Sequence, residues 1–174
     1  MTEVWGGIEA GGTHFVCAAG TGPHDLRAEI SFPTTTPKET ISRAVEFFLY
    51  REGIAAIGIA SFGPVDLDPS SQSYGHITSS PKPGWGNTDI VGKVRDVLKV
   101  PVGFDTDVNA AALSEHLWGA AHGVDSFVYL TVGTGIGGGS MTDGHLVHGL
   151  IHPEIGHLRI PHDPKADDFM GSCP

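Results

Sequence analysis

Glycine in this chain is gathered into two clusters, Gly6–Gly12 and Gly133–Gly139, and each adjoins an apolar run with the composition of a strand. At 25 of 174 residues it stands at about twice its usual share of roughly 7%, and the clustering is not the even spread of a linker. A turn of consecutive glycines lets backbone N–H groups come close to an anion that any Cβ would hold away. The first constraint on the fold is therefore a pair of glycine turns at strand ends, each able to grip a negatively charged ligand.

The elements around those turns can be read in order. Val4–Ala10 leads straight into Gly11-Gly12-Thr13, and His14–Thr21 and Leu26–Phe32 follow as strands divided by Gly22-Pro23-His24-Asp25. Three strands before any helix predict an antiparallel meander. Thr36-Pro37-Lys38-Glu39 then supplies an N-cap threonine, a proline at the first helical position and a glutamate at the third, a capping box. Ile41, Ala44, Val45, Phe48 and Leu49 recur at helical spacing and give one buried face, with Gly53 ending the helix. Ala55–Ala60 reads as a strand buried on both faces.

Residues 63–88 carry the turn signals Gly63-Pro64, Asp68-Pro69 and Pro83-Gly84, and a loop of that length is usually functional or mobile. Asp89–Lys99 is a second amphipathic helix, Val100–Phe104 a strand and Val108–Ala121 an alanine-rich third helix. Ser126–Val132 is a strand, Gly133–Gly139 a loop, and Asp143-Gly144 a turn returning the chain to His145-Leu146-Val147. The order predicts an α/β fold with a boundary near residue 120, residues 1–120 forming one lobe and 121–174 the start of a second.

Three constellations carry chemistry. Glu9-Ala10-Gly11-Gly12-Thr13 joins a phosphate-sized backbone cradle to a hydroxyl donor, with Glu9 placed to hold a metal ion through water; an ordinary tight hairpin is the alternative. Gly133-Thr134-Gly135-Ile136-Gly137-Gly138-Gly139 also matches G-x-G-x-x-G, but a dinucleotide fold needs a helix to open inside that motif. Ser140-Met141-Thr142-Asp143-Gly144 turns instead, which favours a second phosphate-gripping hairpin. Asp105-Thr106-Asp107-Val108-Asn109 lies between a strand and a helix, where one carboxylate serves as N-cap and a second is left for chemistry. A kinase holds the base for its attacking hydroxyl at such a strand end, and that base need not be strong. In His152-Pro153-Glu154-Ile155-Gly156-His157, His157 could join Cys173 at a zinc ion, with His152, His162 and Asp163 to complete the four ligands a structural site needs.

Composition narrows the class. A formal net charge of −10 disfavours a nucleic-acid partner, which would want a basic face. Two cysteines make no disulfide framework, and Cys17 in its apolar run reads as a buried, inert thiol. Met1-Thr2-Glu3-Val4 lacks the basic start of a signal peptide and no run reaches membrane-spanning length, so the chain reads as cytoplasmic, with no membrane partner.

In this order the motifs resemble the ROK family of sugar kinases and repressors, and within it the fructokinase branch. Glu9 to Thr13 is similar to the family's Asp-x-Gly-Gly-Thr, with Glu for Asp and His14 where that branch commonly continues with Lys. Ser61-Phe62-Gly63-Pro64-Val65-Asp66 resembles its Gly-Pro-Val-Asp segment, and Lys82-Pro83-Gly84-Trp85 the Pro-Gly-Trp of a sugar-side loop. Asp107-Val108-Asn109-Ala110-Ala111-Ala112 resembles the segment with the catalytic Asp, although glucokinase-like members carry Asn where Thr106 stands.

The resemblance implies an actin-like ATPase (ribonuclease H-like) lobe with a mixed sheet, plus an incomplete second lobe. It implies ATP-dependent phosphorylation of a hexose, D-fructose ahead of glucose, with ATP, Mg²⁺ and Zn²⁺ as cofactors and a homodimer as the common state. Asp107 becomes the base, Gly11, Gly12, Thr13, Gly133, Thr134 and Gly135 the phosphate turns, and Asn109, Glu154 and His157 the sugar contacts. Glu9 becomes the Mg²⁺ residue, and His157 and Cys173 become zinc ligands, with further ligands expected past Pro174. Two rival readings remain: an inactive truncated piece of such a kinase, and a sugar-sensing regulator of the same family. The regulator's helix-turn-helix would have to precede a first strand that already begins at Val4.

Overall fold

The computed structural model describes residues 3–133, 135–149, 153–158, 161, 163 and 165–166. Strands β1 (Val4–Ala10), β2 (His14–Gly22) and β3 (Asp25–Pro33) form the expected antiparallel meander. Helix α1 (Pro37–Leu49) carries the chain to β4 (Ile54–Ser61), which pairs parallel with β1. Helix α2 (Ile90–Leu98) then leads to β7 (Val102–Thr106), parallel to β4. The sheet order is β3-β2-β1-β4-β7. It is mixed for a simple reason: short turns can reverse the chain, whereas parallel neighbours need a helical crossover.

Thr36 caps α1 as predicted, its hydroxyl accepting from the Glu39 N–H at 3.4 Å, and Pro37 opens the helix. The other half of the box differs: the Glu39 carboxylate takes the Thr35 hydroxyl at 2.7 Å. Ile41, Ala44, Val45 and Phe48 face the core, but Leu49 is exposed and Phe47 is buried in its stead. Both α1 and α2 lie on the side of the sheet that buries Ile8, Ile57 and Ile59. Strand β4 is therefore not covered on both faces: Gly58 is exposed, and Gly7, Gly58 and Gly103 lie side by side in neighbouring strands. Cys17 is fully buried, and burial pushes its thiol up to about 12.

The stretch after β4 is built, not loose. Strands β5 (His76–Ile77) and β6 (Thr88–Asp89) pair, Val65 bridges to Ile77, and both side chains are inaccessible to solvent. The Asp66 carboxylate accepts from the Ser71 and Ser73 hydroxyls at 2.6 Å each, and these bonds hold it below the usual range. Trp85 is fully buried with its ring against Phe15 and Phe62, and its indole N–H donates to the Thr35 carbonyl at 2.9 Å.

Helix α3 (Asp107–Trp118) follows β7 directly and packs on a second, antiparallel sheet of order β10-β9-β8. Its strands are β8 (Phe127–Val132), β9 (Ile136–Thr142) and β10 (His145–Leu146). Asp143 and Gly144 both take positive φ, 50° and 75°, as a two-residue hairpin turn requires. The glycine loop expected over 133–139 is thus shorter: Gly137, Gly138 and Gly139 are strand residues of β9. A short 3-10 turn, Ile155–His157, lies against β9. Among the described residues no helix is long and apolar enough to cross a membrane.

Candidate active site

Parallel strands β1, β4 and β7 all end on one side of the first sheet, where open α/β sheets bind their ligands. There a cleft of about 520 Å³ is bounded by Gly12, Thr13 and Gly63 on one side and by Gly133, Gly135 and Glu154 on the other, with Asp107 among the lining residues. A further hollow of about 190 Å³ near Phe48 and Leu98 carries Arg51 as its one charged lining residue and none of the predicted site residues.

Asp107 occupies the first helical position of α3 because Thr106, not an aspartate, is the N-cap: the Thr106 hydroxyl accepts the Asn109 N–H at 3.1 Å. Asp107 is left to face the cleft, its Oδ1 accepting from the Val108 N–H at 2.8 Å. Burial raises its proton affinity above the ordinary aspartate value, and the charges of Glu9 and Glu154 push the same way against the stabilising Val108 N–H. Asp107 thus feels the charge of two carboxylates predicted from separate motifs, Glu9 and Glu154. Hard oxygen donors of this kind fit Mg²⁺.

The two turns differ in construction. Gly11 donates to the His14 carbonyl at 3.0 Å, and a Cβ at Gly11 would stand 2.6 Å from that oxygen. A Cβ at Gly12 would meet nothing within 4 Å, so no packing inside the protein demands glycine there. At the second turn Gly133 donates to the Gly135 carbonyl at 2.9 Å, while Thr134 lies outside the described residues. The glycines of β9 answer to neighbours instead. A Cβ at Gly137 would press on Val108 and one at Gly138 on Ile155, each at 2.9 Å, and one at Gly139 would meet the Val108 carbonyl. They let α3 and the 155–157 turn close on opposite faces of β9, which brings Asp107 and Glu154 to one cleft.

The remaining expected residues fall in distinct places. Glu154 lines the cleft, and its Oε2 lies 3.0 Å from Nδ1 of His157. Asn109, expected against a ligand, is fully buried; its amide donates to Asp105 Oδ1 at 2.9 Å, and its own Oδ1 has no partner among the described residues. Asp105 in turn meets His148 Nε2 at 2.7 Å, tying β7 to the chain after β10. Trp85, expected on a ligand-side loop, is a core anchor. The carboxylate behind the His157 ring is the kind of partner that supports metal-bound histidines. Zinc is nevertheless not supported by the described residues, which hold no group of three or more candidate ligands; Asp163 accepts from the Lys165 N–H, and His152, His162 and Cys173 lie outside them. No local pattern announces the bonds behind the site from Thr34 to Gly11 and from His148 to Asp105.

Comparison with known proteins places this geometry. The pattern described as "ROK family" matches residues 5–174. The fructokinase of Zymomonas mobilis subsp. mobilis is 48% identical over 178 aligned residues, covering 99% of this chain and 59% of that protein. The fructokinase of Streptococcus mutans serotype c is 45% identical, covering all of this chain and 60% of its own. A solved ROK family glucokinase from Streptomyces griseus, in complex with glucose and AMPPNP, superposes with a TM-score of 0.77 at 26% identity, over 91% of this chain and 51% of that one. The chain thus spans about three fifths of the length of the curated relatives it matches.

Proposed function

This chain belongs to the ROK family and has the actin-like ATPase fold of its sugar kinases, and from that premise we propose that the polypeptide carrying it transfers the γ-phosphoryl group of MgATP to a hexose, D-fructose in preference to glucose. The observation that carries the reading is a single partly buried carboxylate, Asp107, set in one cleft between two glycine turns.

Phosphoryl transfer asks the protein for positioning and charge stabilisation more than for covalent chemistry. Asp107 accepts the proton of the sugar's 6-hydroxyl as that oxygen attacks the γ-phosphorus and ADP leaves. Its raised proton affinity suits a group that must take a proton while the oxygen bonds to phosphorus. Gly11, Gly12 and Thr13 grip phosphate from the first sheet, and Gly133, Thr134 and Gly135 from the second. Glu9 would hold Mg²⁺ through water; when bound, the ion neutralises phosphate charge. Glu154 and His157 orient sugar hydroxyls, each fixing the other's rotamer. Asn109 acts one step back, by holding Asp105. Zinc enters the proposal only through His157 and Cys173, and no step depends on it. The preference for fructose rests on Thr106, where glucokinase-like members carry Asn, and on the two fructokinase relatives.

The test is ADP release by the purified polypeptide with MgATP and fructose, glucose or no sugar, before and after added Zn²⁺. Release that depends on fructose is expected. Release at the same rate without sugar, or none with fructose, would overturn the proposal.

A further inference from the structure

Gly11 and Gly12 are adjacent and lack Cβ atoms, so the peptide joining them can rotate between orientations that a side chain would forbid. Only one of these suits an anion. In a trans peptide the carbonyl of Gly11 and the N–H of Gly12 point in opposite directions. The Gly11 carbonyl is taken by the Thr34 hydroxyl at 2.7 Å, and the Thr34 N–H donates to the Thr13 carbonyl at 2.8 Å. Thr34 therefore holds the carbonyls of both outer residues of the turn, from a position 23 residues along the chain at the exit of β3. The Gly12 N–H is turned away from Thr34, and it has no acceptor among the described residues. Gly12 and Thr13 line the cleft; Thr34 does not, and is itself buried.

We propose that Thr34 is the positioning residue of the first phosphate turn: its hydroxyl selects the peptide orientation that presents the Gly12 N–H to a phosphate oxygen. The inference rests on the reading of this turn as a phosphate site and deepens it. Thr34 touches no ligand and acts through Gly11. Without the hydroxyl, both peptide orientations are populated, and apparent affinity falls with the fraction left competent.

The experiment is calorimetric titration of the purified protein with Mg-tripolyphosphate, which offers phosphate without nucleoside or sugar, for the unchanged sequence, Thr34→Val and Thr34→Ser. Valine keeps the volume and the backbone N–H and removes only the hydroxyl; serine restores the donor. The expected result is an affinity for tripolyphosphate lowered about fivefold in Thr34→Val, the fold-change of one neutral hydrogen bond. The melting temperature should shift by less than about 5 °C, and Thr34→Ser should bind as the unchanged protein does. Equal binding by the valine variant overturns the inference. So does loss of affinity in both variants together with a fall in melting temperature, which would make Thr34 a structural residue only, and so does the absence of binding by the unchanged protein. Fructose-dependent ADP release from the same preparation is read separately. Its failure beside an intact valine–serine contrast would remove the kinase reading and leave the role of Thr34 standing.

Discussion

At Gly11–Thr13 the chain turns between two strands with both outer carbonyls held by Thr34, and a Cβ on the middle glycine would meet nothing within 4 Å. At Gly133–Gly135 the turn is closed by one bond between its own ends, and the rest of that cluster lies in β9 under Val108 and Ile155. Similar composition thus answers to different partners. In the first region the missing side chain leaves room for something outside the protein, and in the second it leaves room for the protein's own helix. A glycine cluster in a sequence announces a close approach without saying what approaches.

The largest break comes at the residue both regions frame. Asp107→Asn is expected to lower turnover by about 10²- to 10⁴-fold with both turns intact, measured as sugar-dependent ADP release with little change in sugar affinity. The same variant should be more stable than the parent at neutral pH. The folded state binds the Asp107 proton more tightly than the unfolded chain does, so stability falls as pH rises from the ordinary aspartate range through the raised folded value. Asparagine has no such ionisation, and its advantage should vanish below the ordinary aspartate range. Denaturant melts of both proteins across pH check this, and a constant difference would contradict it.

Gly139→Ala comes next. Its Cβ would be driven into the Val108 carbonyl, so backbone must move, and a loss of about 1–3 kcal/mol of stability is expected. Gly12→Ala is the opposing case: unchanged melting temperature, with MgATP affinity weakened about tenfold, or roughly 1.4 kcal/mol. If Gly12→Ala destabilised the fold or Gly139→Ala left it untouched, the contrast between the two clusters would fail. The smallest effect belongs to the frame around the first turn. Trp85→Phe should cost about 1 kcal/mol, read by thermal melting, for the indole bond to Thr35.

The sequence displayed what local chemistry writes into it. Helix α1 was legible because Thr36, Pro37 and Glu39 mark its start, and the β9–β10 turn because Asp143-Gly144 suits two positive φ angles. The first part of β9, residues 136–139, reads as loop in the sequence because glycine has little preference for strands. The signal against that reading was already present: a two-residue hairpin at 143–144 needs a strand immediately before it. One of the aspartates at 105 and 107 reads as the helix cap in the sequence, but the structure gives that role to Thr106. Its hydroxyl competes well for an N-cap and frees both carboxylates. Long-range ties left no trace. Thr34 meets Gly11 across 23 residues and His148 meets Asp105 across 43, and no periodicity or spacing encodes such pairs. The motif around Pro83-Gly84-Trp85 located the segment correctly while Trp85 itself turned inward, since an indole with a carbonyl within reach gains more from the core than from solvent.

That inward turn gives the molecule an optical asymmetry. Of its three tryptophans, Trp5 and Trp118 are 48% and 58% exposed, whereas Trp85 has no exposed surface. A soluble quencher reaches the first two and leaves the third, whose emission is shifted to the blue by its apolar walls. The light that survives quenching therefore comes from one ring, wedged between Phe15 on β2 and Phe62 just past the end of β4. It dims or reddens when the segment carrying Trp85 leaves its seat, an intrinsic reporter that requires no added dye.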